Sequence, residues 1–409
     1  MEPGSSPYGP PSLGGRPMYF VHIPKTAGTS IRRMLAQRFH ENDVFSPDHA
    51  VAVVAPSDLR RFVAIHRSIA LTSMFPTRPF VLTFLRDPIE RTVSSFHFRR
   101  EQLGHPGVLT GARRAEAELC ARMSLPELAR SEPALAARIL GNVQTWFLSY
   151  PGTEPPHDVV GGGDLDTAKR NLAALDCLGL VERMTDSLAM LCRTLGWEPF
   201  PSVLLDNRTQ RRPAVAEIDS ATRSVIEELT WQDAELYRYA KELFEERLRA
   251  AMNRPPTAPP PDGADGPSSV SLDFGDPLPP RWGLYAIERG PLGTYRWTGP
   301  DREAWVEVAV AGGRALLLEV HVLMALRPEL LDGLRLSVNG RPLPTVRADG
   351  RDGFRFRAEV PAEVLAARRG PARVGLTVPA TFLPAEVDPS NADPRRLGVA
   401  VSRVSLTPR

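Results

Sequence analysis

Lys25, Thr26, Ala27, Gly28, Thr29 and Ser30 follow one another in a stretch that combines a mobile positive charge, three hydroxyl donors and a glycine that lets backbone approach a ligand. Such a set suits an anion, most often a phosphate. A second set lies in FLRDPIERTVSSF, residues 84–96, where Arg86 offers a guanidinium fork and Ser94 a hydroxyl, a pair suited to another phosphate. Neither stretch is a Walker A loop, because GxxxxGK[ST] is absent and Lys25 precedes Gly28.

The elements around these residues must aim them. Met18 to Ile23 is a short apolar run of strand type, Pro24 and Gly28 interrupt it, and Ile31, Met34, Leu35 and Phe39 then recur at helical spacing. A strand, a tight loop and a helix in that order point the first free N–H groups and the positive dipole end at whatever sits above the strand. The second stretch repeats the design. Phe80 to Leu85 reads as a strand buried on both faces, with Asp87 as N-cap, Pro88 at the first helical position and Ile89, Val93 and Phe96 on the buried side. Arg86 therefore stands at a strand's C-terminal end, where α/β sheets bind ligands.

HIPKTAGTS followed by FLRDPIERTVSSF resembles the paired nucleotide-binding motifs of the Golgi-type carbohydrate sulfotransferases, the group that contains heparan sulfate 2-O-sulfotransferase. The resemblance covers somewhat more than half of the chain. It implies that Lys25, Thr26, Ala27, Gly28, Thr29 and Ser30 hold the 5′-phosphosulfate of 3′-phosphoadenosine 5′-phosphosulfate as co-substrate, and that Arg86 and Ser94 hold its 3′-phosphate. It also implies a general base about 20 residues before Arg86, a place taken by His66, although the glycine that often precedes that histidine is Ile65 here. An imidazole titrating near neutrality can accept the proton of an attacking hydroxyl. His22 is expected to pack or orient the loop rather than do chemistry; His22 and His97 are the fallback bases, with Glu182 as a further candidate. In NVQTWFLSY the family's arginine is replaced by Trp146, leaving Asn142, Gln144 and Glu182 as weaker acceptor-side candidates. Arg208, in NRTQRR, is placed by the resemblance over the 3′-phosphate.

The 409 residues suggest two or three domains, and a formal net charge of +2 demands neither a nucleic acid nor a membrane partner. Only three of the 50 basic residues are lysines, which makes one in the first loop less accidental. Cys120, Cys177 and Cys192 form no CxxC pair and suggest neither a disulfide framework nor a zinc site. No stretch offers 18 uninterrupted apolar residues, so no membrane span is expected, and a bacterial cytoplasmic location is the expectation.

The predicted organisation is a disordered, Gly/Pro/Ser-rich N-terminus (1–16), an α/β parallel-sheet, P-loop-like sulfotransferase domain (17–250), a Pro-rich linker (251–268) and an all-β, jelly-roll-like sandwich (269–409). Asp58 to Ile65 reads as a connector leading to His66. Past the linker, WVEVAV, LRLSVNG and FRFRAEV alternate with period two, and Asn339-Gly340 signals a hairpin. GLYAIERGPLGTYRWTG resembles an accessory β-domain of bacterial carbohydrate enzymes, and Trp282, Tyr295 and Trp297 are either sugar-stacking platforms or core.

The function expected from this reading is sulfuryl transfer to a hydroxyl of a carbohydrate or glycoconjugate, with Lys25 and His66 as catalytic residues. No metal is expected, since no Walker B partner is in place to hold Mg²⁺. The rival expectations are an Mg-dependent nucleotide kinase and a non-catalytic carbohydrate-binding protein acting through the β-domain.

Overall fold

The computed structural model describes residues 13–47, 53–103, 111–153, 164–202, 215–253, 266–368 and 370–409. Arg208, most of the predicted linker and residues 154–163 lie outside them. Two compact units emerge, one built from 13–35 and 44–257, the other from 36–43 and 258–409 over their described residues.

The first unit is an α/β fold around a parallel sheet. Its strands are β1 (Met18–Val21), β2 (Val44–Phe45), β3 (Phe62–Ile65), β4 (Phe80–Leu85) and β5 (Cys177–Leu180), in the spatial order β2-β3-β1-β4-β5. β1, β3, β4 and β5 are buried along their whole length, as expected of strands covered on both faces. The second half of the Asp58 to Ile65 stretch, expected to be a weakly helical or extended connector before His66, is thus a strand. Its continuous apolar run is only four residues, FVAI, and their pairing with β1 rather than their local pattern makes them a strand.

The helices are α1 (Gly28–Ala36), α2 (Pro88–Gln102), α3 (Gly111–Arg122), α4 (Leu125–Ser131), α5 (Pro133–Leu140), α6 (Val143–Ser149), α7 (Leu165–Ala174), α8 (Met184–Leu195), α9 (Ser220–Leu229) and α10 (Trp231–Asn253). α2 begins as predicted, with the Asp87 carboxylate accepting from the N–H groups of Ile89 and Glu90 at 3.0 Å each and Pro88 in the first turn. Val93 and Phe96 join Cys120, Leu128, Ile139 and Ile226 in one apolar cluster.

The second unit is a β-sandwich. Among its described residues a five-stranded and a seven-stranded sheet, antiparallel in their pairings, share one apolar core to which Val306, Leu336 and Val374 contribute from one side and Leu318, Phe356 and Val404 from the other. Asn339 (φ 51°) and Gly340 (φ 80°) make the predicted hairpin turn between Arg335–Val338 and Arg341–Leu343, both in the left-handed region that such a turn requires. Trp282, Tyr295 and Trp297 are 1%, 8% and 8% exposed, so the sugar-platform expectation for them is corrected: the rings are buried, Tyr295 and Trp297 in a small apolar cluster with Leu323, Leu397 and Ala400 apart from the sandwich core and Trp282 opposite Trp305.

Within this unit the Glu41 carboxylate accepts two bonds from the Arg296 guanidinium and one from the Leu278 N–H, all at 2.9 Å, and pairs with Arg281. Burial pushes the Glu41 carboxyl up, but the two guanidinium groups and the Leu278 N–H outweigh it and hold the group below the usual glutamate range. A carboxyl depressed in the folded state stabilises the fold above its unfolded pKa, and that contribution is lost as pH falls through the folded value. Glu41→Gln is accordingly expected to cost about 2 kcal/mol near neutrality and to flatten the acid side of a plot of melting temperature against pH. Equal acid slopes for variant and wild type would refute it.

Candidate active site

The strand order reverses at β1: the chain leaves β1 for β2 and β3 on one side and then returns to β4 on the other. At such a switch point the loops after the two central strands diverge and leave a crevice at the carboxyl ends. Val21 is in register with Ile65 and with Thr83, so His22 and His66 follow neighbouring strand ends directly, and Arg86 follows β4. Leu85 pairs with Leu180, which places Glu182 beside the start of α2. One edge of the sheet thus carries His66, the Lys25 loop, Arg86 and Glu182 in spatial order.

Lys25 (φ 69°) and Ala27 (φ 58°) both lie in the left-handed region, directly before α1 begins at Gly28. Left-handed residues beside a helix N-terminus are the backbone conformation that anion-binding concavities use. Thr26, predicted as a donor to a ligand, is fully buried and its hydroxyl donates to the Ile23 carbonyl at 2.9 Å, closing the loop instead. Ser30 is buried and Thr29 half-buried. The Lys25 ammonium stands 3.8 Å from the Phe98 ring centroid, a cation–π contact. Glu90, Ser94 and Phe98 share one face of α2 by their spacing of four, so this contact turns the predicted Ser94 toward the Lys25 loop, where it is 3% exposed.

Arg86 spans the crevice. Its Nη1 donates to the Lys25 carbonyl at 3.3 Å and its Nη2 pairs with Glu90 at 2.9 Å, so the guanidinium joins the first loop to α2. Its own backbone is held by Gln144: the Arg86 N–H donates to Gln144 Oε1 and Gln144 Nε2 donates to the Arg86 carbonyl, both at 2.9 Å. Gln144 is fully buried with both ends of its amide engaged in this way, which makes it a support for Arg86 rather than a group facing an acceptor. Asn142 (φ 46°) likewise turns to protein, its Oδ1 accepting from the N–H groups of Gln232 and Asp233 at 3.0 and 3.1 Å. Trp146 stacks on Tyr150 at 4.7 Å as a wall. Glu182 is exposed, accepts from the Asp87 N–H at 3.0 Å and from the Tyr237 hydroxyl at 2.6 Å, and so props the start of α2. Burial, with this bond to Glu182, pushes the Tyr237 hydroxyl pKa up.

His66 Nδ1 lies 2.7 Å from the His22 carbonyl oxygen, and the two imidazole rings stand 4.0 Å apart at 31°. His22 also stacks on Phe20, with ring centroids 5.4 Å apart at 11°. Burial, then the neighbouring His66 and Arg32, hold the His22 imidazole well below its ordinary pKa, so it is neutral at physiological pH. His97 sits on α2 with its ring edge-on to Phe96. Glu90 and Phe98 escaped the sequence reading, although their spacing from Ser94 was available to it. Among the described residues no group of three or more His, Cys, Asp or Glu side chains is disposed to hold a metal ion, and no helix is long and apolar enough to cross a membrane.

The family model described as Sulfotransferase family matches residues 15–138, a stretch that includes the Lys25 loop, His66, Arg86 and Ser94. Heparan-sulfate 6-O-sulfotransferase 2 of Gallus gallus is 30% identical over 195 residues, which cover 42% of this chain and 46% of that protein, so the chain spans under half of the length of this curated relative. Among solved structures, a mouse sulfotransferase complexed with PAP aligns at 15% identity over 58% of this chain and 94% of its own, with a TM-score of 0.28. A sulfotransferase from Alicyclobacillus acidocaldarius aligns at 17% identity over 59% and 97%, with a TM-score of 0.26. Over residues 15–138, which carry the Lys25 loop and Arg86, the chain resembles the sulfotransferase family.

Proposed function

We propose that this chain is a sulfotransferase that moves a sulfuryl group from 3′-phosphoadenosine 5′-phosphosulfate to a hydroxyl of a carbohydrate or glycoconjugate. The observation that carries the reading is the convergence of the Lys25 loop and Arg86 on one crevice, joined by the 3.3 Å bond between them, with His66 on the adjoining strand end. The residues fit such a donor: left-handed backbone at Lys25 and Ala27 leads into the α1 N-terminus for one phosphate, and Arg86 with Ser94 offers a second cationic and hydroxyl site. The relative from Gallus gallus is named for a polysaccharide substrate, which supports a sugar acceptor.

The donor, when bound, supplies an activated sulfur and a phosphate leaving group. Lys25 and the loop N–H groups would balance the charge that grows on that phosphate as the sulfur–oxygen bond breaks. His66 would take the acceptor's hydroxyl proton as the new oxygen–sulfur bond forms, and the crevice holds the groups in line. The deciding experiment is calorimetric titration with 3′,5′-bisphosphoadenosine, beside ATP with Mg²⁺ and AMP. Tight binding of the bisphosphate, weakened roughly 10- to 100-fold in Arg86→Ala, is the expected result, whereas preference for ATP with Mg²⁺ would indicate a kinase. His66→Gln is expected to lower turnover on heparan sulfate by about 10² with the bisphosphate affinity retained, and wild-type turnover in that variant would move the base to His97 or Glu182.

A further inference from the structure

We propose that His22 is a positioning residue that joins the phosphate loop to the base, its carbonyl fixing the proton of His66 on Nδ1 and its ring serving as a common wall for His66 and Gly28.

Three contacts converge on this one residue. A carbonyl oxygen only accepts, so the 2.7 Å approach of His66 Nδ1 to the His22 oxygen requires Nδ1 to carry a hydrogen. In the neutral His66 ring the basic lone pair is then on Nε2. The His22 ring lies under the His66 ring at 4.0 Å and is itself backed by Phe20, which closes a column of three rings rising from β1. The same ring fills the space beside Gly28: a Cβ built there would come within 1.9 Å of His22 Cδ2 and Nε2. Gly28 opens α1 at the end of the phosphate loop, so the loop and the base both rest against one imidazole. With a 7% exposed ring held neutral by burial, His22 can do this without placing a second positive charge against His66. A change in loop position is thereby transmitted to His66 through a single rigid group, so that the base is correctly placed only when the loop is.

The test has two arms. In ¹⁵N-edited NMR of the imidazoles in the full chain, with His66→Gln assigning the signal, wild type and His22→Phe are expected to show neutral His66 protonated at Nδ1. His22→Ala, lacking the wall, is expected to lose that pattern toward the Nε2–H form that free imidazole prefers. An Nε2–H form in the wild type, or an unchanged signal in His22→Ala, overturns the proposal, whatever reaction the protein performs. The second arm rests on the proposed function and reads 3′,5′-bisphosphoadenosine affinity. Gly28→Ala is expected to weaken it roughly 10- to 100-fold, and His22→Ala in the same chain to restore it to within about tenfold, since the two sites share one contact. No restoration in a folded double variant overturns the wall. Failure of the wild type to bind the bisphosphate would strike the donor assignment and leave the NMR arm to decide the role of His22.

Discussion

Lys25→Ala is expected to lower sulfuryl transfer about 10³-fold, at the upper end of what removing one preorganised charge from a reacting centre costs. The substitution disturbs little else. Lys25 is already at φ 69°, and alanine in the same left-handed conformation carries the same steric cost as lysine, so the loop is not newly strained. Its carbonyl, which accepts from Arg86, is backbone and survives. The contact with Phe98 is lost, but at a half-buried site it contributes only about 0.5–1 kcal/mol. Stability should therefore fall by less than about 1 kcal/mol while turnover collapses. Measured by donor consumption with a carbohydrate acceptor that the wild type turns over, alongside a thermal melt, a drop below tenfold in a folded variant would remove Lys25 from the reacting end and the proposed chemistry with it.

Much of this arrangement was written in the order of the residues. The strand-loop-helix turn at Lys25, the N-cap of α2 and the hairpin at Asn339-Gly340 are local devices, decided by residues within a few positions of one another, and each is found where the sequence puts it. What the sequence hid was long-range. Asn142 and Gln144 read as acceptor-side groups because their types suit hydrogen bonding to a sugar, yet their partners are Asp233 and Gln232 on α10 and the backbone of Arg86, at separations of 58 to 91 residues. The aromatic residues of the β-sandwich are similar: strand alternation tells which residues share a face but not which face is covered. Thr26 shows the limit inside a motif, since hydroxyl type alone does not say whether the group bonds a ligand or its own loop.

The long-range support for Arg86 carries the second large prediction. The Asp233 carboxylate is fully buried and accepts from the Thr145 N–H at 2.7 Å, the Thr145 hydroxyl at 2.8 Å and the Gln144 N–H at 3.1 Å, while Asn142 accepts from the first N–H groups of α10. α6 and α10 thus cap each other's N-termini reciprocally, each supplying the acceptor that the other's orphan amides need. Arg91, also fully buried, provides the opposing charge and donates to the Leu140 carbonyl. Burial raises the Asp233 carboxyl pKa and lowers that of Arg91 to about 10, so desolvation outweighs attraction on both partners. Such a pair adds little net stability, yet losing one member leaves the other as an uncompensated buried charge. Asp233→Ala is expected to cost about 3–5 kcal/mol in a urea melt, a large share of the roughly 5–15 kcal/mol of a typical fold. Because Gln144 would lose its anchor, bisphosphate binding should weaken in whatever folded fraction remains. Gln144→Met separates the two effects: it should keep most of the stability, since Asp233 still caps α6, and weaken the bisphosphate through a loosened Arg86. Wild-type affinity in a folded Gln144→Met protein would show that Arg86 does not depend on this support, and a wild-type melt in Asp233→Ala would show that the reciprocal caps are dispensable.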